Sequence, residues 1–403
     1  MPVTFNKTTQ RWVADYTDAK GKRHRRGFDT KKGAKAHLLE VETMIQNGSF
    51  RSEAERMTVA DLGRIYIDYS QKRVLIKEID QTTHCNYVAH IERYVIGSGD
   101  LWTSQKPELA GQKFGYPLGH LKLKELRVAH VNQFIDELQG LELSLSFIAG
   151  ATSTLRRMLD LAIERDWLVH NVAKNAKRLR RRVDASATRD NDTDDEDDED
   201  VFIPEKAEVA ALCAASRVTT GPILRFAAST GLRGSEQRAL AWRHVDLEKG
   251  TVRVRRRINR LGQFGQPKSL AGRRTVPLAE GLVAAMKEWK QQSGFTGPDD
   301  LVFPNGVGNP EGHSNWRQRL FQPAWARAQE LNPELVDRPL WRWHDMRHFA
   351  ISCWIEADVP LKQIMKWAGH SSAQMTLDRY GHLFKSTDHS AAMQKIESDI
   401  WLP

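Results

Sequence analysis

Residues 343–382 read WHDMRHFAISCWIEADVPLKQIMKWAGHSSAQMTLDRYGH. Here His344 and Arg347 stand three positions apart, so a helix presents both on one face. Gly369-His370 and then Tyr380 follow. The apolar spacing predicts helices over Trp343 to Glu356, Leu361 to Ala368 and Met375 to Tyr380. One H-x-x-R pair is common by chance, so its meaning rests on what stands upstream.

Upstream, STGLRGSEQRALAW (229–242) places Arg233 after a glycine, at a helix edge. Glu236, three residues on, is set to brace its guanidinium; a surface ion pair is the plainer reading. Pro204-Glu205-Lys206-Ala207 opens a helix, and Ile223 to Ser229 is an apolar helix leading into the arginine segment. Thr251 to Arg257 alternates valine with arginine and reads as a strand; Thr275-Val276-Pro277-Leu278 ends a second. Lys268 falls in the turn between them, beside Pro267 and Gly272. Two arginines, two histidines, a lysine and a tyrosine suffice to break and rejoin a phosphodiester without metal. No Ser-His-Asp set, carboxylate–metal set or phosphate-binding glycine loop competes with them. His348 and His382 receive no chemical role; His348 reads as structural.

Residues 1–55 read as a small α+β unit. Arg11-Trp12-Val13-Ala14-Asp15-Tyr16 suits a strand, Lys20-Gly21-Lys22 a turn, and Arg23-His24-Arg25-Arg26-Gly27-Phe28 a second strand. Thr30 caps a helix running to Gln46, with Ala36, Leu39 and Met44 expected on its inner side. The basic strand, through Arg23, Arg25 and Arg26, has the form of a β-ribbon for a DNA groove; a solvated basic hairpin is the alternative. Residues 57–182 look helical. Thr58 and Asp61 resemble a capping box ahead of Leu62, Ile65, Tyr66 and Tyr69. Further helices are expected near Thr82 to Val95, Val128 to Leu138 and Ala149 to Trp167, with a loop over 97–119. The stripe Leu155, Met158, Leu159 and Ala162 reads as core. Lys177, Arg178, Arg180, Arg181 and Arg182 form a basic cluster suited to phosphates.

The chain of 403 residues carries a formal charge of +9. Asp184 to Asp200 holds ten acids against one arginine, a net of −9, so the other 386 residues carry +18. That polarity points to a polyanionic partner and makes 183–200 an extended acidic linker. A sharper alternative is that the linker mimics DNA and shields basic surface. Cys85, Cys213 and Cys353 lack metal-ligand spacing and suit a reducing compartment. No apolar run approaches a membrane span and no signal peptide is evident, so a cytoplasmic, nucleoid-associated protein is expected.

These stretches resemble the tyrosine recombinase (phage-type integrase) family. The matches are STGLRGSEQRALAW (229–242), PKSLAGRRTVPL (267–278), WHDMRHFAIS (343–352) and WAGHSSAQMTLDRYGH (367–382). More weakly, PLGHLKLKELRVAHVNQFIDEL (117–138) and AIERDWLVHNVA (162–173) are similar to the helical core-binding domain. Residues 1–55 are similar to a three-stranded arm-binding domain. Val172 stands where proline is usual, and the 97–119 insertion and the acidic linker are departures. The fold implied is multidomain and mainly α with small β-sheets: an arm-binding domain (1–55) with a three-stranded sheet plus helix, a helical core-binding domain (57–182), the acidic linker (183–200), and an α+β catalytic domain (201–403).

The resemblance implies Tyr380 as nucleophile, Arg233 and Arg347 on the phosphate oxygens, and Lys268 as the acid for the leaving group. It further implies His344 assisting the tyrosine's proton, His370 as a donor to phosphate, and Glu236 as a brace. No cofactor is implied, neither metal nor ATP. Partners implied are double-stranded DNA attachment sites of core and arm type, a homotetramer on DNA, and a host DNA-bending protein and an excisionase. The tail, with Ala392, Ile396 and Ile400 at helical spacing, is expected to dock between protomers, with docking on its own domain as the alternative. The competing readings are a type IB topoisomerase and a DNA-binding regulator with a decayed site.

Overall fold

The computed structural model describes residues 2–18, 21–48, 50–51, 55–101, 109, 111–177, 201–384 and 390–401. It divides into two compact units, Met1–Ala187 and Thr188–Pro403. The first contains both modules that the sequence separates near residue 56. The expected acidic linker, 183–200, and part of the expected loop, 102–108 and 110, lie outside the described residues.

In the first unit, β1 (Val3–Asn6), β2 (Arg11–Thr17) and β3 (Arg23–Phe28) form an antiparallel sheet in that order. The β2–β3 register sets Trp12 opposite Phe28 and Asp15 opposite Arg25. Helix α1 (Lys31–Gln46) starts at Thr30, whose hydroxyl accepts from the Gly33 amide at 3.1 Å. It buries Ala34, His37, Leu38 and Val41, while Leu39 is 67 % exposed and Ala36 faces solvent, against the sequence expectation. Both stripes pass as apolar in the sequence. The sheet decides between them, because Ala14 and Tyr16 present the surface against which the helix packs.

The remainder of this unit is a helical bundle. Helix α2 (Val59–Leu75) opens on the expected reciprocal box, with Asp61 N donating to Thr58 Oγ1 and Thr58 N to Asp61 Oδ2. Helix α3 (Gln81–His90) continues into a π-helical stretch, Ile91–Ile96, rather than a regular helix to Val95. Helices α4 (Val128–Gly140) and α5 (Leu145–Glu164) close the core, where Leu155, Met158, Leu159 and Ala162 are all buried. Glu55 accepts from Arg26 of β3 at 2.9 Å and from Lys124 at 2.8 Å, stapling sheet to bundle.

The second unit begins with α6 (Lys206–Ala215), α7 (Gly221–Thr230) and the short α8 (Gly234–Arg238). Five strands follow: β4 (Val245–Asp246), β5 (Thr251–Val254), β6 (Arg257–Ile258), β7 (Phe264–Gly265) and β8 (Arg274–Pro277). They form an antiparallel sheet of order β4-β5-β8 and a β6–β7 hairpin. The strand expected to run to Arg257 breaks after Val254. There Arg256 leaves the ladder, donating to the Ala239 carbonyl at 2.6 Å with its guanidinium 4.8 Å from the Phe264 ring. Helices α9 (Glu280–Gln292), α10 (Gln322–Leu331), α11 (Asp345–Glu356), α12 (Leu361–Ala368), α13 (Ala373–Tyr380) and α14 (Ser390–Trp401) complete the unit. Its main core gathers Phe226, Met286, Phe303, Phe321, Trp325 and Trp343. Among the described residues, no helix is long and apolar enough to cross a membrane.

Candidate active site

The arginine segment is shaped by a glycine. Helix α7 ends at Gly231, whose φ of 58° is left-handed, and a Cβ there would lie 3.1 Å from Trp354. That turn buries Leu232 and sets Arg233 at the entrance of α8. Glu236 then reaches back: its Oε2 accepts from Arg233 N at 2.9 Å and its Oε1 from Arg233 Nη1 at 3.3 Å.

Glu236 has a second partner that sequence reasoning missed. Arg274 donates to it through both terminal nitrogens, at 2.8 and 2.7 Å. Arg274 Nε also donates to the Trp367 carbonyl at 2.6 Å, and its Nη1 to the Gly272 carbonyl at 3.2 Å. One guanidinium therefore ties the Arg233 segment, the turn after Lys268, and the helix end that carries His370. The signal was present in β8, where Arg274 and Val276 share the buried face of the strand. A charge on an inward strand position calls for a buried partner.

Arg347 is buried in α11 and donates to the Gly231 carbonyl at 2.7 Å and the Ala368 carbonyl at 2.6 Å. The start of α11 is fixed by Asp345, which accepts from the Arg342 amide at 2.7 Å. His344 caps this helix, its ring edge-on to His348 at 4.9 Å. His370 follows the left-handed Gly369 and hydrogen-bonds Thr376 Oγ1 through Nδ1 at 2.8 Å. Tyr380, at the end of α13, is 1 % exposed and stacks on His370 at 6.5 Å. Its hydroxyl lies 2.5 Å from His348 Nδ1.

The electrostatics follow from three guanidiniums around one carboxylate. Burial alone would raise the Glu236 pKa, but Arg274, Arg233 and Arg347 override it and hold the carboxyl well below its usual range. Burial, with Arg233 and Arg274, pulls Arg347 down from the ordinary arginine value. Burial, then Arg347 and its neighbours, pushes His348 down to about 3 and His370 to about 2, and burial with His348 pushes His344 well below 6.5. All three imidazoles are neutral at pH 7. Burial raises Tyr380 to about 12 against the pull of Arg347 and Arg379. The cluster thus sets buried cationic side chains beside a neutral phenol, which favours an incoming anion.

The structure therefore brings Arg233, His344, Arg347, His370, Tyr380 and Glu236 into one cluster. Lys268 stands apart, exposed in the turn after β7. Of the basic residues expected to meet DNA, Arg23 and Arg25 both donate to Asp15, at 2.5 and 2.9 Å, and Arg26 binds Glu55. Lys177 pairs with Asp136. Arg178, Arg180, Arg181 and Arg182 lie outside the described residues.

The profile of the phage integrase family matches residues 205–387, the span that carries this cluster. Over that span the chain is similar to the tyrosine recombinases. The prophage integrase IntR of Escherichia coli (strain K12) is 31% identical over 191 residues, covering 44% of this chain and 46% of IntR. The alignment thus spans about half of that relative. An integrase of Streptomyces ambofaciens is 25% identical over 399 residues, covering 93% of this chain and 90% of its own. The fold matches the Tn1549 transposon integrase in complex with circular intermediate DNA, at a TM-score of 0.61 and 16% identity, covering 85% of this chain and 99% of that chain. It also matches a lambda integrase tetramer bound to a Holliday junction, at 0.53 and 14% identity, covering 93% and 97%.

Proposed function

We propose that this recombinase cuts and rejoins DNA at specific sites through a 3′-phosphotyrosyl link, integrating and excising a phage or other mobile element. The observation that carries the proposal is Tyr380 lying in one buried cluster with Arg233, Arg347 and His370. Arg233 and Arg347 suit the non-bridging oxygens of a phosphodiester, because planar guanidinium forks match phosphate and stabilise the pentacoordinate charge without metal. If the Thr376 hydroxyl donates to Nδ1 of neutral His370, the other ring nitrogen carries a proton to donate to phosphate. Lys268, exposed on its turn, protonates the leaving 5′-oxygen, and His344 supports the tyrosine's proton transfer. Glu236 holds Arg233 in place. The covalent link conserves bond energy, so a partner strand's 5′-hydroxyl reverses the step without ATP.

Around this centre we place core-site binding on 57–182, with Lys177 and its arginine neighbours on phosphates, and arm-site binding on Arg23, Arg25 and Arg26 of β3. A tetramer on DNA, its tail helix exchanged between protomers, performs the exchange, with a host bending protein and an excisionase setting direction. Met393 and Ile396 of α14 are 63 % and 51 % exposed, an apolar surface that suits such a tail. The test is Tyr380→Phe on a nicked suicide duplex cut from the junction between the element and its host chromosome. The wild-type protein is expected to form a covalent adduct; the variant is expected to bind the duplex and form none. An adduct from the variant overturns the assignment.

A further inference from the structure

The tyrosine hydroxyl and His348 are the closest pair of reactive atoms in the cluster. His348 Nδ1 sits 2.5 Å from Tyr380 Oη, and both residues are buried, at 3 % and 1 % exposure. With the uncharged phenol as donor, neutral His348 accepts at Nδ1 and carries its own hydrogen on Nε2. The imidazole is anchored one residue after Arg347 on α11, and Arg347 is clamped by the Gly231 and Ala368 carbonyls. His348 is therefore held against the nucleophile by the same helix that holds a phosphate arginine.

Resting on the recombinase reading above, we propose that His348 is a catalytic residue: the base that takes the Tyr380 proton during cleavage and returns it during ligation. In cleavage the Tyr380 O–H bond breaks and its proton passes to His348 Nδ1. The phenolic oxygen forms a bond to phosphorus, the bond from phosphorus to the 5′-oxygen breaks, and Lys268 protonates that oxygen. In ligation each step reverses, and the proton on His348 returns to the tyrosine.

The surroundings make this transfer conditional on DNA. His348 faces Arg347 and His344 from its own helix and its cap, Arg342 from the preceding segment, and Arg379 and Tyr380 from α13. Burial, with the arginines around it, disfavours an imidazolium at His348, and burial disfavours a phenolate, so the proton stays on the tyrosine in the DNA-free protein. A phosphate entering against Arg233 and Arg347 supplies the missing negative charge and raises the basicity of His348. The nucleophile is thereby activated only where there is something to cut.

The test measures single-turnover adduct formation on the same suicide duplex for wild type, His348→Ala and His348→Asn. Both variants are expected to bind the duplex normally and to form the adduct about 10²–10⁴ times more slowly, the range of a lost general base. Asparagine keeps a hydrogen-bonding group near the hydroxyl and cannot take up a proton, so it should be as slow as alanine. Added imidazole should accelerate His348→Ala, in proportion to its unprotonated fraction as pH varies. Wild-type rates from either variant overturn the proposal. So does recovery by asparagine without rescue by imidazole, which would make His348 a positioning residue. Should His348→Ala fail to fold, His348→Asn alone decides by its rate. If wild-type protein forms no adduct that depends on Tyr380, the recombinase reading fails instead, and the two failures are distinct.

Discussion

The two units use the same ion pair in opposite ways. In the catalytic unit Glu236 is buried with side-chain exposure of 2 %, and Arg274 meets it at 1 %. In the N-terminal unit Asp15 also gathers two arginines, Arg23 and Arg25, whose side chains are 63 % and 65 % exposed. The buried pair lies in a low-dielectric interior where an unpaired charge is costly, so it fixes geometry. The exposed pairs are screened by water and salt and contribute little to folding. A guanidinium locked inside can place a phosphate; one held loosely at the surface can be traded for a phosphate. On the proposed function, the buried pair serves the chemistry and the exposed arginines serve adjustable contact with DNA.

The largest effect is expected from Glu236→Ala. It leaves Arg233, Arg274 and Arg347 without their shared carboxylate, and breaking such a buried pair typically costs ~3–5 kcal/mol. Denaturant unfolding of the purified protein measures it. A loss no larger than that of a surface variant would erase the distinction drawn above. Arg233→Lys comes next. The charge stays, but the paired contact to two oxygens does not, so adduct formation should fall ~10²–10³-fold. Near-normal cleavage would make Arg233 a structural partner of Glu236 and nothing more.

A third effect appears with pH. His344, His348 and His370 are neutral in the fold, with pKa values below the ordinary 6.5. Below that value the unfolded chain binds protons that the folded chain refuses. Stability from these sites is thus present above about pH 6.5 and is lost as pH falls, at up to ~1.4 kcal/mol per pH unit for each histidine. Glu236, held low, adds to the same loss once pH drops below the ordinary carboxylate range of 4.5. Denaturant midpoints between neutral and mildly acidic pH measure the slope, and His348→Asn should lower it by one histidine's share. An unchanged slope in that variant would show that His348 is not kept neutral by burial.

What the sequence made legible was local. Arg233 and Glu236 are three residues apart, as are His344 and Arg347, and helical geometry alone pairs such positions. The Thr58–Asp61 box and the stripe from Leu155 to Ala162 are of the same kind. The contacts that organise the site are not. Arg274 reaches Glu236 across 38 positions and Trp367 across 93, and His348 meets Tyr380 across 32. No periodicity encodes those separations; the fold creates them by bringing the start of β8, α11 and α13 together. The inner face of α1 failed for a related reason, since which of two apolar stripes is buried depends on the sheet it meets.

The smallest expected effect is the one that most sharpens the comparison. The hydrogen bond from Arg23 outweighs burial and, with that from Arg25, holds the Asp15 carboxyl down at about 2. Both arginines remain largely exposed, and Arg25 and Arg26 also line a cavity of about 360 Å³ with Tyr16, Phe50, Arg56 and Lys122. Asp15→Asn should leave the thermal melting curve unchanged, because a surface pair adds little to stability. It should also release two guanidiniums to compete for phosphates. Affinity for arm-type DNA is expected to rise, and the dependence of log affinity on log salt to steepen by roughly one to two units, close to 0.9 per added phosphate contact. Titrations of labelled duplex at several salt concentrations read both quantities. Weaker binding by the variant would mean that Asp15 preorganises Arg23 and Arg25 for DNA, as Glu236 braces Arg233. The surface and the interior would then be using the carboxylate in the same way, differing only in depth.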